Sequence, residues 1–284
     1  MSLPAFDAQW LHALRALANQ PPLRPRVPLW AGESVIGSVE IGFLDKIASL
    51  PNTFGSQQLL KKEQPEELGW RLMGDVTLSL NRVARALHHA GLAGAWRDEQ
   101  LAVTDQWDHH KGTIERAAVR ALGITTLAVH LVGQAPDGRF WVQQRAFNKP
   151  NDPGLWDTLV GGMVSSSDTV ETALARETWE EAGLQVAALQ DMRYGGRLSS
   201  RRPAQEGVGT GYVHEHIDWY CCTVPGGMLP INQDGEVEQF CLMDVAQLLE
   251  AMQQGQFTLE AALILADAMG LGLGVVQGVS TRAI

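Results

Sequence analysis

Cysteine is scarce in this chain: 284 residues hold three, Cys221, Cys222 and Cys241. An odd count without paired metal-finger spacing argues against a cysteine-built zinc site and reads as ordinary buried thiols of a reducing compartment. Positive charge is in short supply too. Lys and Arg total 22 against 32 Asp and Glu, a formal net charge of −10. The basic surface that a nucleic-acid backbone demands is missing, so no nucleic acid is expected as a partner. A small phosphorylated molecule is not excluded, because a bound metal could supply local positive charge. No apolar run reaches about 18 residues, so no membrane-spanning helix and no membrane partner are expected. The opening MSLPAFDAQWLHALRALANQ is amphipathic but has no charged leader followed by an apolar core. A signal peptide is therefore not expected, and the cytoplasm is the expected location. Repeats and low-complexity linkers are lacking as well.

What is present is length enough for two domains, each with its own core. The pattern divides near residue 115. Residues 4 to 19 have helical periodicity, with Trp10, Leu11, Leu14 and Leu17 on one side, and Pro21, Pro22 and Pro25 end the run. Residues 27 to 43, with Val35, Ile36, Val39, Ile41 and Phe43 around Gly32 and Gly37, predict a hairpin. Helices are expected over Leu44 to Ser49 and Leu78 to Ala90, the second closed by Gly91, and a strand over Trp96 to Trp107. Residues 1–115 thus read as a small α+β domain. In residues 116–284, strands are expected over Thr125 to Val132, Arg139 to Arg145, Trp156 to Val160, His216 to Val224 and Glu236 to Met243. Helices are expected over Asp244 to Gln253 and Leu259 to Met269.

One segment carries chemistry. Between Gly162 and Leu184 the chain reads GMVSSSDTVETALARETWEEAGL. Glu177, Glu180 and Glu181 fall at i, i+3 and i+4, on one face within a single helical turn. That turn is the last, since Gly183 is the natural left-handed stop. The helix dipole favours cations there, yet three acids are supplied. The same face continues back through Leu174, Ala173 and Val170, which are apolar, so the stripe runs from core into a cleft. Asp168 is the expected N-cap, with Glu171 three residues on as in a capping box. Arg176 is the segment's one cation and is expected to project to the flank of the stripe. A solvated acidic helix end would call for compensating cations on the acid face, so a bound divalent metal is the economical reading.

These residues resemble the Nudix box, G-x5-E-x7-R-E-U-x-E-E-x-G-U with U a bulky aliphatic residue. It runs here through Gly162, Asp168, Arg176, Glu177, Thr178, Glu180, Glu181, Gly183 and Leu184. Asp168 stands where the family has its first glutamate, which pairs with the box arginine and supports the loop, and Thr178 replaces an aliphatic residue. The resemblance, over roughly residues 118 to 270, implies an α/β fold: an α/β/α sandwich, a mixed sheet between helices, here preceded by the small α+β domain. It implies Mg²⁺ or Mn²⁺ held by Glu177, Glu180 and Glu181, with Asp168, Arg176 and Gly183 supporting the box. It also implies metal-dependent hydrolysis of a diphosphate bond in a small molecule.

In the segment QQRAFNKPNDPGLWD, which resembles the region before the box in Nudix hydrolases and isopentenyl diphosphate isomerase, Arg145 and Lys149 are expected to contact substrate phosphate. Lys149 can equally be read as a solvated loop charge. Gly162 is grouped with the substrate-binding residues. Trp156 and Trp141 could stack on a heteroaromatic ring or belong to the core. Glu236 and Glu238, two apart and expected to point the same way, are candidates for a further ligand or general base. His214 and His216 suit a structural or substrate-contacting role better than zinc, for want of a third ligand. His109, His110 and Lys111 read as a polar patch between the domains.

Beyond the box, SVEIGFLDKIASLPNTF, LNRVARALHHAGLAGAWRDEQLAV and VQQRAFNKPNDPGLWDTLVGGMV resemble the Nudix subfamily related to thiamine pyrophosphokinase. Its members are associated with hydrolysis of thiamine diphosphate and its oxidised analogues to monophosphates. The first domain is then expected to wall one side of the substrate cleft. ADP-ribose or another nucleoside diphosphate derivative is the alternative substrate, and a homodimer is left open. Two other classes share the fold. The isomerase needs a cysteine after the third strand, where DTLVGG stands and no cysteine occurs between Ala117 and Tyr220. Non-catalytic ligand sensors usually lose the box glutamates, which are intact here.

Overall fold

The computed structural model describes residues 8–48, 59–63, 68–204 and 211–271. The first residues of the helix expected over 4 to 19, and Ser49 at the end of the next, lie outside them. Helix α1 (Ala8–Leu17) is followed by an antiparallel hairpin of β1 (Arg26–Ala31) and β2 (Ser34–Glu40). Its turn holds Gly32 at φ 59°, a left-handed conformation that costs glycine little. After the short α2 (Asp45–Ala48) come β3 (Leu60–Glu63) and β4 (Gly69–Leu72), completing a sheet of order β2-β1-β4-β3. Helix α3 (Val76–His89) starts at Asp75, whose carboxylate accepts from the Leu78 amide at 2.9 Å. It buries Leu80, Val83, Ala84 and Leu87.

The strand expected over Trp96 to Trp107 is a shorter hairpin, β5 (Gln100–Thr104) with β6 (His110–Glu115), packed on α3. The expected polar patch is the turn of this hairpin. Buried Asp105 takes the Trp107 and His109 amides and lies 2.9 Å from the Lys111 ammonium, while His110 opens β6. Ala118, Val119, Ala121, Leu122 and Ile124 join the same core as these strands.

The second sheet is built from β7 (Thr126–Gln134), β8 (Phe140–Arg145), β9 (Trp156–Asp157) and β10 (Val160–Met163), then α4 (Val170–Ala182), β11 (Gln190–Pro203), β12 (Tyr212–Thr223) and β13 (Val237–Met243). Helices α5 (Val245–Gln253) and α6 (Leu259–Ala268) close it. Strand order is β11-β12-β7-β8-β13, with β10 on β7 and β9 on β8. The β12–β7 pair is parallel and the other pairs are antiparallel. The period-2 alternation of β7 sets the layers. Ala128 and Val132 face a core shared with Leu248, Leu265 and Ile264 of α5 and α6, whereas Val129 and Leu131 face one shared with Ala173 and Leu174 of α4. The sheet therefore lies between helices, as an α/β/α sandwich. Helix α1 returns to this unit: Leu11 and Ala18 pack with Leu263 and Ala266, and Arg15 reaches Asp267 at 2.7 Å. Among the described residues no helix is long and apolar enough to cross a membrane.

Candidate active site

Thr169, not Asp168, caps α4: its hydroxyl accepts from the Thr172 amide, and the Thr172 hydroxyl accepts in return from the Thr169 amide. Asp168 is thereby free for a second task. Its Oδ2 accepts from Arg176 Nε and Nη2 at 3.0 and 2.9 Å. Arg176 does not stay on the flank. Its Nη1 lies 2.9 Å from both Glu177 Oε1 and Glu180 Oε2, and Nη2 also donates to the Met163 carbonyl. A long guanidinium next to the stripe can fold back over it, so helical angle alone misjudged the cation's reach. Thr178 is buried, and its hydroxyl is satisfied by donating to the Leu174 carbonyl at 2.6 Å.

The acids lie against β10. A Cβ on Gly162 would sit 2.0 Å from Glu177 Cδ, and one on Gly161 would sit 2.7 Å from His130 Cε1, so both glycines leave room for neighbouring side chains. Gly162 thus makes space for the carboxylate and itself lines the cleft. Glu181 is 1% exposed and accepts from the Gly161 amide at 2.9 Å and Gln143 Nε2 at 2.8 Å. Burial pushes its carboxyl up to about 8, with Lys149 opposing and Glu177 adding to the rise. Burial likewise lifts Glu177 to about 7, against the pull of Arg176 and with help from Glu180.

The facing wall follows β8. Lys149 is no solvated loop charge: its ammonium forms a close ion pair with Glu236 and lies 3.7 Å from Glu181 Oε1. Burial raises the Glu236 carboxyl, but the Lys149 hydrogen bond together with the charges of Lys149, Arg116 and Arg145 outweighs it, and the net shift is downward. Arg145 is tied to Asp157 Oδ2 at 3.3 Å and to the Asn151 carbonyl. Glu238 does not share Glu236's position. A register shift between Val237 and Gln239 breaks the two-residue alternation, and Glu238 is solvent-exposed and outside the cleft lining. Trp156 packs against the α5–α6 core and Trp141 against the α4 core, and neither lines the cleft.

Together these walls enclose a cleft of about 280 Å³ lined by Arg145, Lys149, Gly162, Arg176, Glu177, Glu180 and Glu236 among others. Sequence reasoning missed several of its residues. His130, hydrogen-bonded to Thr158 Oγ1 at 2.8 Å, and buried Asp157 come from the sandwich, as do Arg202, Glu215 and Glu260. Glu99, Arg116 and Arg120 come from the segment before β7. No local pattern signals them, since they are scattered over the sequence from Glu99 to Glu260. His214 and His216 lie on the same face of β12 with rings 5.3 Å apart, hydrogen-bonded to Thr125 and Ser199 respectively.

The donor set has the chemistry for a hard divalent ion: carboxylate oxygens on one helical face, two of them buried beyond what Arg176 and Lys149 compensate. Their arrangement differs from the expected cage. Among the described residues no three His, Cys, Asp or Glu side chains converge closely enough to enclose a metal. The Arg176 guanidinium draws Glu177 and Glu180 to itself, and Glu181 turns to Gly161 and Gln143.

The family model described as NUDIX domain matches residues 125–263, the sandwich with its acid-bearing helix. Residues 125–263 are a Nudix domain. Relatives extend the likeness past its limits. Nudix hydrolase 24, chloroplastic, of Arabidopsis thaliana is 26% identical over 253 residues, covering 81% of this chain and 63% of the plant protein. Nudix hydrolase 20, chloroplastic, of the same plant is 31% identical over 198 residues, covering 64% and 49%. The chain thus spans only about half to two thirds of these relatives' lengths. A crystal structure from Deinococcus radiodurans shares 23% identity at a TM-score of 0.47, covering 59% of this chain and 98% of its own.

Proposed function

We propose that this chain is a metal-dependent hydrolase of the diphosphate bond in a small organic diphosphate, with thiamine diphosphate or its oxidised analogues as substrate and the monophosphate as product. The observation that carries the reaction class is the cleft in which Glu177 and Glu180 on α4 are opposed by Lys149 and Arg145, with Glu181 buried behind them 3.7 Å from the Lys149 ammonium. The substrate rests on the resemblance of the wider chain to the thiamine pyrophosphokinase-related subfamily. Glu177, Glu180 and Glu181 would have to give up Arg176, Gly161 and Gln143 to hold a Mg²⁺ or Mn²⁺ ion, which would neutralise the diphosphate and lower the pKa of an attacking water.

The chain's own residues do the rest. Arg145, braced by Asp157, presents a fixed cation to a phosphate oxygen. Lys149 exchanges Glu236 for the substrate's phosphate, and Glu236, so released, is the base that takes the proton from water. Asp168 holds Arg176 in place, and Arg176 aligns Glu177 and Glu180. Residues 1–115 act as an accessory domain that walls the substrate cleft of the Nudix domain in residues 116–284. The three free thiols suit the reducing cytoplasm proposed as its setting, and no cysteine lines the cleft as an isomerase would need.

The test is a panel of diphosphates with Mg²⁺ and Mn²⁺, read by phosphate and monophosphate release, for the natural chain and for Glu180→Gln and Glu181→Gln. Thiamine diphosphate or its oxo and oxy analogues are expected to turn over faster than ADP-ribose or nucleoside triphosphates, and both variants to lose orders of magnitude while staying folded. A profile led by ADP-ribose moves the assignment to nucleoside diphosphate derivatives. Near-normal turnover by both variants removes the site.

A further inference from the structure

Beside the cleft lies a second cavity of about 110 Å³. The two share six lining residues, Arg116, Arg120, Asn151, Met163, Val213 and Glu215, which form a neck between them. The inner cavity is walled on one side by Leu92, Ala93, Val119, Ala121 and Ile124 from the segment preceding β7. These are apolar and suit the body of a planar ring.

The neck is mostly polar. Asn151 Oδ1 is buried and has no hydrogen-bond partner among the described residues, a state that an N–H donor would relieve. Glu215 is partly buried, and its Oε1 accepts from Thr126 Oγ1 at 3.0 Å. Arg120 stands near Glu215, and Arg116 pairs with Glu99 at 2.7 Å. Charge at the neck is therefore compensated, and a neutral hydrogen-bonding edge fits better than a further ion. Burial raises the Glu215 carboxyl above its ordinary value, and its oxygens can accept from such an edge.

We propose that the inner cavity seats the organic group of the substrate, and that Asn151 and Glu215 at its neck recognise an amino-substituted nitrogen heterocycle. This rests on the diphosphatase reading only in taking the outer cleft as the place of the phosphates. The required chemistry is an N–H donor on a flat ring joined by a short linker to phosphate, and both an aminopyrimidine and an aminopurine supply it.

The test is equilibrium binding by calorimetry to the full chain, with thiamine monophosphate, AMP and ribose 5-phosphate as probes. At least one of the two base-bearing probes is expected to bind tenfold or more tighter than ribose 5-phosphate, which has no ring nitrogen. Tight binding of thiamine monophosphate alone identifies the aminopyrimidine, and of AMP alone the aminopurine. Glu215→Gln and Asn151→Ala are each expected to reduce that advantage at least fivefold. Asn151 lies in a loop, so its variant carries the test even where the Glu215 variant does not fold. Equal binding of all three probes, or an advantage unchanged in the folded variants, overturns the subsite. A chain that shows the preference and its loss in the variants, yet hydrolyses none of the matching diphosphates, keeps the subsite and overturns the hydrolase reading.

Discussion

Glu177 and Glu181 are two carboxyls kept out of water beside each other, and their titration has a sign that can be checked. Both have an ordinary value of 4.5, and burial lifts them to about 7 and about 8. Between those limits the unfolded chain has released protons that the folded chain retains, so stability of the metal-free protein falls as pH rises from about 4.5 to about 8. A divalent ion reverses this by favouring the charged form. Mg²⁺ is expected to raise the melting temperature more at pH 8 than at pH 5, measured against protein in EDTA. An equal shift at both pH values would place the ion away from these carboxyls. Gly162 is the second residue on which the site turns. In Gly162→Ala the new methyl meets the Glu177 carboxyl head-on, with the nearest atom 2.0 Å away. Glu177 must move, and turnover is expected to drop at least about a hundredfold, with a stability loss of about 1–3 kcal/mol. Kinetics and urea unfolding on one preparation separate the two effects.

Helix α4 ends where it does because Gly183 takes φ 63° and because the segment before β13 satisfies its last carbonyls. The Ile231 amide donates to the Ala182 carbonyl at 2.8 Å and the Gln233 amide to Glu180 at 3.1 Å. This same segment leads to Glu236, so the helix stop also places one member of the opposite wall. A Cβ on Gly183 would come within 2.7 Å of Gln233 Nε2 and 2.8 Å of the Ile231 carbonyl. Gly183→Ala therefore adds crowding to left-handed strain and is expected to cost about 2–3 kcal/mol. Urea denaturation measures it, and a loss below about half a kcal/mol would mean that segment 231–233 adapts freely. At β13 the bulge between Val237 and Gln239 separates Glu236 from Glu238. Glu238→Gln is accordingly expected to keep turnover within about twofold of the natural chain.

At the scale of the whole molecule, the first and last described helices pack together. Leu11 on α1 is 1% exposed against Leu263 and Ala266, although α1 precedes the first sheet and α6 follows the second. Leu11→Ala is expected to cost about 2–4 kcal/mol in urea unfolding, while Arg15→Ala, which breaks a part-exposed pair with Asp267, costs less than about 1 kcal/mol. Comparable small losses for both would show that α1 contributes little to holding the sandwich. Residues 118 to 124 pack into the first core and lead directly into β7. A fragment beginning near Ala117 would expose Val119, Leu122 and Ile124 and lack α1, so aggregation is its expected behaviour.

Local pattern accounts for a definite part of this protein. Period-3.6 spacing sets the acid face of α4 and period-2 spacing the buried strands of the sandwich, because both follow from backbone geometry alone. Gly183 as the helix stop has the same local origin. Strand β11 was not legible, since its fourteen residues form an edge that is mostly exposed and carry no apolar alternation. The fold of Arg176 over the acids, the capture of Lys149 between Glu181 and Glu236, and the loss of Trp156 to the core depend on which surfaces come together. So does the neck, lined by Arg116, Asn151 and Glu215 from positions spread over about a hundred residues of the chain. Neighbours distant in sequence are chosen by packing and charge compensation over the assembled sheets, and no local spacing encodes them.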